Sequence, residues 1–446
     1  TVSLGAYERG NFTEGPLFFV NKNASGGDGS SFAKGLSDLQ YALDVATGGD
    51  VILIAAGTYL PSARLNASDP RTATFEVTGE QDGLNIYGGW SGSETFTDVS
   101  EVEAALDSRD LTTNETILSG NINGDESDDS GNAYHVVVLN GGASRIGGNS
   151  ADNITSDTVV DGLTITGGNA DGSFSDGTGG GLVCDGEGSG NACSPSLNRL
   201  TFTGNSAGFG GAIYNNGRDD GASNPVVANA IFIGNSTDNP DGRGGALYNI
   251  GFEGESSPQI TNATFTGNSA GNRGGAIYNN AARGGTSSPQ VTNTILWTNA
   301  APDGNEIYNE EATPTLAHTL IEGGVNGSGV SGDANGNGGN TIDADPLFAD
   351  ASAGDVRLTA GSPAIARGTF APFESGGIAE DVTTDLADED RLFGARPDLG
   401  AFTFNDIVAT SSDISDAAGL LGYLEPAGFE GLVLLRENTA GSGGLT

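Results

Sequence analysis

GNSAGNRGGAIYNN, residues 267–280, sets a double glycine beside an arginine, just ahead of an Ile-Tyr pair. Such a stretch reads either as a ligand-cradling loop or as one rung of a repeat. The surrounding sequence decides for the repeat. GGAIYNN stands at Gly210 and again at Gly274, GGALYNI at Gly244, and degenerate copies GGLVCD and GNEIYNE at Gly180 and Gly304. The first glycines are 30, 34, 30 and 30 residues apart. A phosphate loop would carry Lys-Ser/Thr, open a helix, and not be copied along the chain.

Two more motifs travel with each copy. TFTGN ends at Asn205 and Asn268, IFIGN at Asn235 and ILWTN at Asn299. Upstream lie SPSL at Ser194, NPVV at Asn224, SPQI at Ser257, SPQV at Ser288 and TPTL at Thr313. The unit is S-P-x-φ-x-N-x-x-F-x-x-N, a turn, then G-G-A-φ-Y-N, with φ aliphatic. Its apolar pieces are short and alternate, and a glycine pair with a proline in every unit excludes a helical period. A propeller blade needs about 40 to 50 residues, so a unit of this length is one coil of a right-handed parallel β-helix. Equivalent residues then stack about 4.8 Å apart. Phe202, Phe232, Phe265 and Leu296 form an internal apolar stack in this reading, and Asn205, Asn235, Asn268 and Asn299 an amide ladder at a turn, where asparagine tolerates left-handed backbone. The glycines supply positive φ and let coils approach. Arg243 and Arg273 share a repeat position held by Phe209 one coil earlier, which reads as a stacked surface pair.

Composition narrows the partners. The 446 residues include 74 glycines without a collagen period, which points to turns, while 36% hydrophobic content supplies a core. Acidic side chains number 58 against 17 basic, a net charge of −41. Nucleic acid and anionic membrane surfaces are disfavoured as partners, since both call for a basic patch. No apolar run approaches the roughly 20 residues of a membrane span. No leader stands at the start, so the chain reads as a mature secreted product or an excised module. The two cysteines, Cys184 and Cys193, lie in CDGEGSGNAC, far in sequence from both histidines. A disulfide is the expected pairing, hence an oxidising, extracellular setting. Asn-x-Ser/Thr acceptors at Asn11, Asn23, Asn66, Asn114, Asn153, Asn235, Asn262 and Asn326 permit glycans.

Two loops carry oxygen-rich spacing that suits calcium, the one cofactor the sequence suggests. NINGDESDDSGN offers Asn123, Asp125, Asp128 and Asp129; GDANGNGGNTID offers Asp333, Asn335, Asn337 and Asp343 but lacks the bidentate glutamate. Solvated acidic loops are the plainer reading of both. A polysaccharide lyase or glycoside hydrolase would need a basic residue or paired carboxylates at a defined separation. With Lys22 and Lys34 the only lysines, and no recurring pair of acids, catalysis is the weaker expectation.

Ahead of the repeats, residues 36–47 read as a short capping helix, with Ser37 at its start and Gly48-Gly49 at its end. Such a helix covers the open end of a solenoid. FFVNKNASGGDGSSFAKGLSDLQYALDVATGGDVILIAAGTY, LNIYGGWSGSE, VVDGLTITGGNA, TIDADPLFAD, RLTAGSPAIARG and RPDLGAF together resemble the secreted choice-of-anchor Q domain proteins. The F-x-x-N and G-G-A-I motifs are similar to the repeats of polymorphic outer-membrane proteins. The resemblance spans roughly 17–404 and implies a β-helix that is secreted or surface-attached, with no catalytic motif.

The expected organisation is an opening strand or tail over 1–16, a β-helix of about a dozen coils over 17–404 with its clear repeats at 180–321, and a C-terminal segment over 405–446. TVSLGAYERGNF at the start resembles the closing RPDLGAFTFN. That mimicry suggests an extracellular structural protein whose copies join head to tail into a filament. The alternatives are a monomeric adhesin that binds surface glycans, and a polysaccharide-active enzyme.

Overall fold

The computed structural model describes residues 16–24, 27–125, 127–142, 153–335, 340–374, 377, 379, 384–387, 389–391 and 396–404. Two compact units divide the chain, Thr1–Phe404 and Asn405–Thr446, and the second lies wholly outside the described residues.

The first unit is a right-handed parallel β-helix. Its strands pair with their counterparts one coil on, in parallel and in register, so Phe202 meets Phe232, Phe265 and Leu296 in turn. The three phenylalanine rings lie flat on one another, with centroids 5.0 and 4.4 Å apart. Each central coil has three sides, exemplified by Gln259–Thr261, Thr264–Thr266 and Ile277–Asn280. Alternate residues point inward, and the inner rows form one continuous apolar core running from Val20 to Val330.

The corners explain the motif. The first glycine of each pair is left-handed, with φ of 64° at Gly210, Gly244, Gly274 and Gly304. The second is needed for clearance: a Cβ on Gly245 would lie 2.2 Å from the Gly275 carbonyl oxygen of the next coil. Asn305 takes that position in the next coil, whose strand Ile307–Glu310 carries only the two-residue strand Val330–Ser331 on its far side. The ladder asparagines are not themselves left-handed, contrary to expectation. Gly204, Gly234, Gly267 and Thr298 just before them take the positive φ. Left-handed backbone instead marks a different column, Arg199, Asn229, Asn262, Asn293 and His318, at the corner between the first two sides.

The longest stack is nine strands deep, eight along one path plus Thr315–Ile321 on its end, so the solenoid is shorter than a dozen coils. At one strand spacing each it rises about 40 Å. The shortfall has two causes. Residues 91–115, with helix α2 (Val99–Ala105), form an outer loop. The described residues of 343–404 add no further coil but run back along the left-handed corner. There the Nδ2 of Asn229 donates to the Thr384 carbonyl at 2.7 Å and that of Asn293 to Thr369 at 2.9 Å, while the His318 ring contacts the Arg367 carbonyl at 2.9 Å.

Helix α1 (Leu39–Val45) caps the N-terminal end, burying Leu39, Ala42 and Leu43 against the core. Asp38, rather than Ser37, is its N-cap, accepting from the Gln40 N–H. The outer edge of Leu17–Val20 is also occupied, since Phe19 donates to the Gly29 carbonyl and accepts from Leu36.

Candidate functional site

The asparagine ladder is the most elaborate polar construction in the core. Asn205 Nδ2 donates to Asn235 Oδ1 at 3.0 Å, Asn235 to Asn268 at 2.9 Å and Asn268 to Asn299 at 2.8 Å. Each amide nitrogen also donates to a carbonyl of the coil before, as Asn268 does to Phe232 at 2.9 Å. Each amide oxygen from Asn235 to Asn299 accepts a second bond from a backbone N–H, such as Asn235 N to Asn268 Oδ1 at 3.0 Å. Such saturation is what a buried amide requires.

The last member faces a break in the repeat. Where other coils place Ala212, Ala246 and Ala276, this one places Glu306, with no exposed surface. Its carboxyl accepts from Asn299 Nδ2 at 2.5 Å and from Asn299 N at 3.3 Å. Burial foremost, and the Glu322 carboxylate, push its pKa up to about 8 against those bonds.

Sequence reasoning missed a second ladder, although the recurring Asn of G-G-A-φ-Y-N carried its signal. Asn215, Asn249, Asn279 and Asn309 are joined Nδ2 to Oδ1 at 2.7, 2.8 and 2.8 Å. On the outside of the same strands Tyr214, Tyr248, Tyr278 and Tyr308 form a column with centroids 5.4, 4.9 and 5.3 Å apart, the first two contacts edge to face and the last stacked. Arg243 and Arg273 lie over Tyr278 and Tyr308 at 5.2 and 4.6 Å. The Tyr278 hydroxyl donates to Glu310 and accepts from Arg243, so the arginine pair covers this strip.

A buried charge cluster was also invisible in the sequence, because its members are scattered. Asp161 receives Arg109 Nη2 at 2.5 Å and Arg199 Nη2 at 2.8 Å, and Arg199 Nη1 reaches Asp107 at 2.8 Å. Burial alone would raise the Asp161 carboxyl; the two guanidinium groups outweigh it and hold it below the usual carboxylate range. The cluster ties the outer loop to the solenoid. Beside it lies a cavity of about 250 Å³ lined by Leu111, Glu115, Thr164, Arg199, Leu386 and Phe402 among others. Glu115 is the one carboxylate among its described lining residues and accepts from Thr164 at 2.8 Å.

Cys184 and Cys193 form a disulfide, both fully buried, with Cα atoms 5.6 Å apart. The first calcium loop is built from local turns. Asp125 accepts from Ser127, Asp128 from Ser130 and Asp129 from Asn132, while Asn123 accepts from the Asp125 N–H. In the second, Asn335 bridges Thr315, Asp343 accepts from the Gly323 N–H, Asp333 stays exposed, and Asn337 lies outside the described residues. Among the described residues no three His, Cys, Asp or Glu side chains converge to hold a metal. Of the glycan acceptors, Asn23, Asn66 and Asn326 are exposed, Asn114 and Asn153 half-buried, and Asn11 outside the described residues. Asn235 and Asn262 have no exposed surface, so neither can carry a glycan in this fold.

These features define a parallel β-helix protein with one disulfide. No family model matches the chain and no curated protein matches it, so the choice-of-anchor Q resemblance rests on the quoted segments alone. Among solved structures, the crystal structure of pectate lyase Pel9A is similar over 89% of this chain and 98% of its own, at 13% identity and a TM-score of 0.38.

Proposed function

We propose that the protein is an extracellular structural element whose copies join head to tail by exchanging terminal segments. The observation that carries this reading is the seat of Leu399-Gly400-Ala401-Phe402. Leu399 and Ala401 are fully buried, and the Gly400 N–H donates to the Asn293 carbonyl at 2.8 Å. Gly400 has φ of 88°, and a Cβ there would lie 2.8 Å from Ile295 and Thr264 atoms. The seat therefore selects Leu-Gly-Ala. The same tripeptide followed by an aromatic recurs at Leu4-Gly5-Ala6-Tyr7, outside the described residues. A pattern fitted to one seat and present twice supports exchange, in which the opening segment of one copy takes the seat of another. The disulfide supports an oxidising setting, and no helix among the described residues is long and apolar enough to cross a membrane.

The test is electron microscopy and light scattering of the purified chain, beside a deletion of residues 1–7 and Gly5→Val. Filaments or oligomers lost in both variants are expected. Monodisperse monomers of the unaltered chain would sink the reading. The covered N-terminal edge favours one alternative, a monomeric adhesin binding glycans along its length, and monomers that bind a glycan array would establish that instead.

A further inference from the structure

A cavity of about 500 Å³ opens between residues 340–342 and the returning segment, lined by Asn340, Thr341, Ile342, Pro363, Ala366, Arg367 and Arg396. We propose that it binds a small oxyanion, a carboxylate, sulfate or phosphate group on a molecule of about one or two sugar rings. The volume falls within the roughly 300 to 1,000 Å³ of small-molecule sites.

Charge is the first argument. The chain carries a net charge of −41, and its described arginines, apart from Arg64, Arg367 and Arg396, meet an acid, an aromatic ring or a backbone carbonyl. Two of those three exceptions line this one cavity. Guanidinium groups with no partner among the described residues present forked donors that match an oxyanion. The carboxylates nearest the lining in the chain are committed elsewhere: Asp398 accepts from the Ala366 N–H at 2.6 Å and the Phe404 N–H at 2.7 Å, and Asp343 from the Gly323 N–H at 3.1 Å.

Construction is the second argument. His318 joins the two walls, meeting the Arg367 carbonyl at 2.9 Å and Asn340 Nδ2 at 3.5 Å. Ala366, next to Arg367, is held at φ of 54°, a left-handed conformation that disfavours any side chain, by its bond to Asp398. Both walls are thus fixed before a ligand arrives. Size follows from the field: a polyanion would meet the acidic surface throughout, whereas a small ligand within the cavity is screened from acids beyond about 8 Å.

The experiment is titration calorimetry with glucuronate, inorganic phosphate and sulfate, and with glucose as the uncharged comparison, at low and high salt. At least one anion binds, more weakly as salt rises, and which one identifies the source of the oxyanion. Arg367→Gln and Arg396→Gln each weaken binding about tenfold or more, while Arg64→Gln leaves it unchanged. All three arginines are exposed, and thermal melts confirm that the variants fold. The proposal is overturned if no anion binds, if glucose binds as well as the anions, if Arg367→Gln and Arg396→Gln bind as tightly as the unaltered protein, or if Arg64→Gln weakens binding as much as they do.

Discussion

Glu306 ends the first asparagine ladder with a titratable group in the core, and its charge has a calculable consequence. The final ladder residue offers two donors, Asn299 Nδ2 and Asn299 N, and a carboxylate can accept both. Those bonds favour ionisation, yet full burial and the Glu322 charge outweigh them, and the group titrates at about 8 instead of the ordinary 4.5. A carboxyl whose folded pKa lies above its unfolded pKa binds its proton more tightly when folded. Its contribution to stability is therefore complete below pH 4.5 and is lost as pH rises through 8. Over that window the loss is on the order of 5 kcal/mol, at about 1.4 kcal/mol per pH unit. Glu306→Gln removes this dependence. Because an amide accepts through one oxygen only, it also forfeits one bond to Asn299, a fixed loss of about 1 to 2 kcal/mol. The expected result is that the variant is less stable at pH 5, more stable at pH 8, and that the curves cross between. Urea titrations followed by circular dichroism at intervals across that range measure both. Other buried carboxyls raised by burial, Glu76, Asp385 and Asp398, move both proteins together and cancel in the difference. Parallel curves would refute the assignment of the charge to Glu306.

Further outcomes follow from the packing. Gly245→Ala pushes a Cβ to 2.2 Å from the Gly275 oxygen and 2.5 Å from that of Ser269, both backbone, whereas Gly234→Ala meets nothing within 4 Å and bears only its φ of 64°. Thermal melts should show the second costing about 1 to 2 kcal/mol and the first clearly more; equal losses would contradict the clearance argument. Asp161→Asn leaves Arg109 and Arg199 buried against a neutral partner and should cost about 3 to 5 kcal/mol in urea unfolding, with a loss under 1 kcal/mol counting against the cluster. Replacing both Cys184 and Cys193 by Ala opens a link across a separation of 9 residues and should cost about 2 to 3 kcal/mol, and the same shift should appear when the unaltered protein is fully reduced and remelted.

The repeat was legible because coils stack in register: any residue required once by the corner geometry is required again a coil later. That is why Gly210, Gly244 and Gly274 stood out, and why Phe202, Phe232 and Phe265 could be placed in one column. The same logic would have exposed the second ladder, since Asn215, Asn249 and Asn279 follow the same spacing as the glycines. What it could not assign was which asparagine bends. At the ladder the preceding glycine takes the left-handed turn and frees the amide to point inward; at the other corner Asn229, Asn262 and Asn293 take it themselves. The resemblance carried the expected coils to residue 404, yet the described residues past 343 lie against the outside of the corner and form only an antiparallel pair of their own, Phe348–Asp350 with Asp355–Leu358. The Asp161 cluster had no signal at all. Its four members are separated by as many as 92 residues and meet only after the outer loop folds down.

How the solenoid stops bears on how copies can join. Both ladders run with donors facing the later coil, so each would leave an amide donor exposed at the last coil. The first is met by Glu306, which replaces the repeat's alanine and accepts from both Asn299 donors. The second ends on Asn309, whose Nδ2 is buried with no partner among the described residues, a cost of about 1 to 3 kcal/mol. At the other end α1 covers the core, and the edge of Leu17–Val20 is paired within its own chain. Coil-on-coil stacking between copies is therefore disfavoured at the N-terminal end. Under the proposed exchange, copies would therefore meet over the side, along the left-handed corner, with the seat of Leu399-Gly400-Ala401 supplying the sequence specificity.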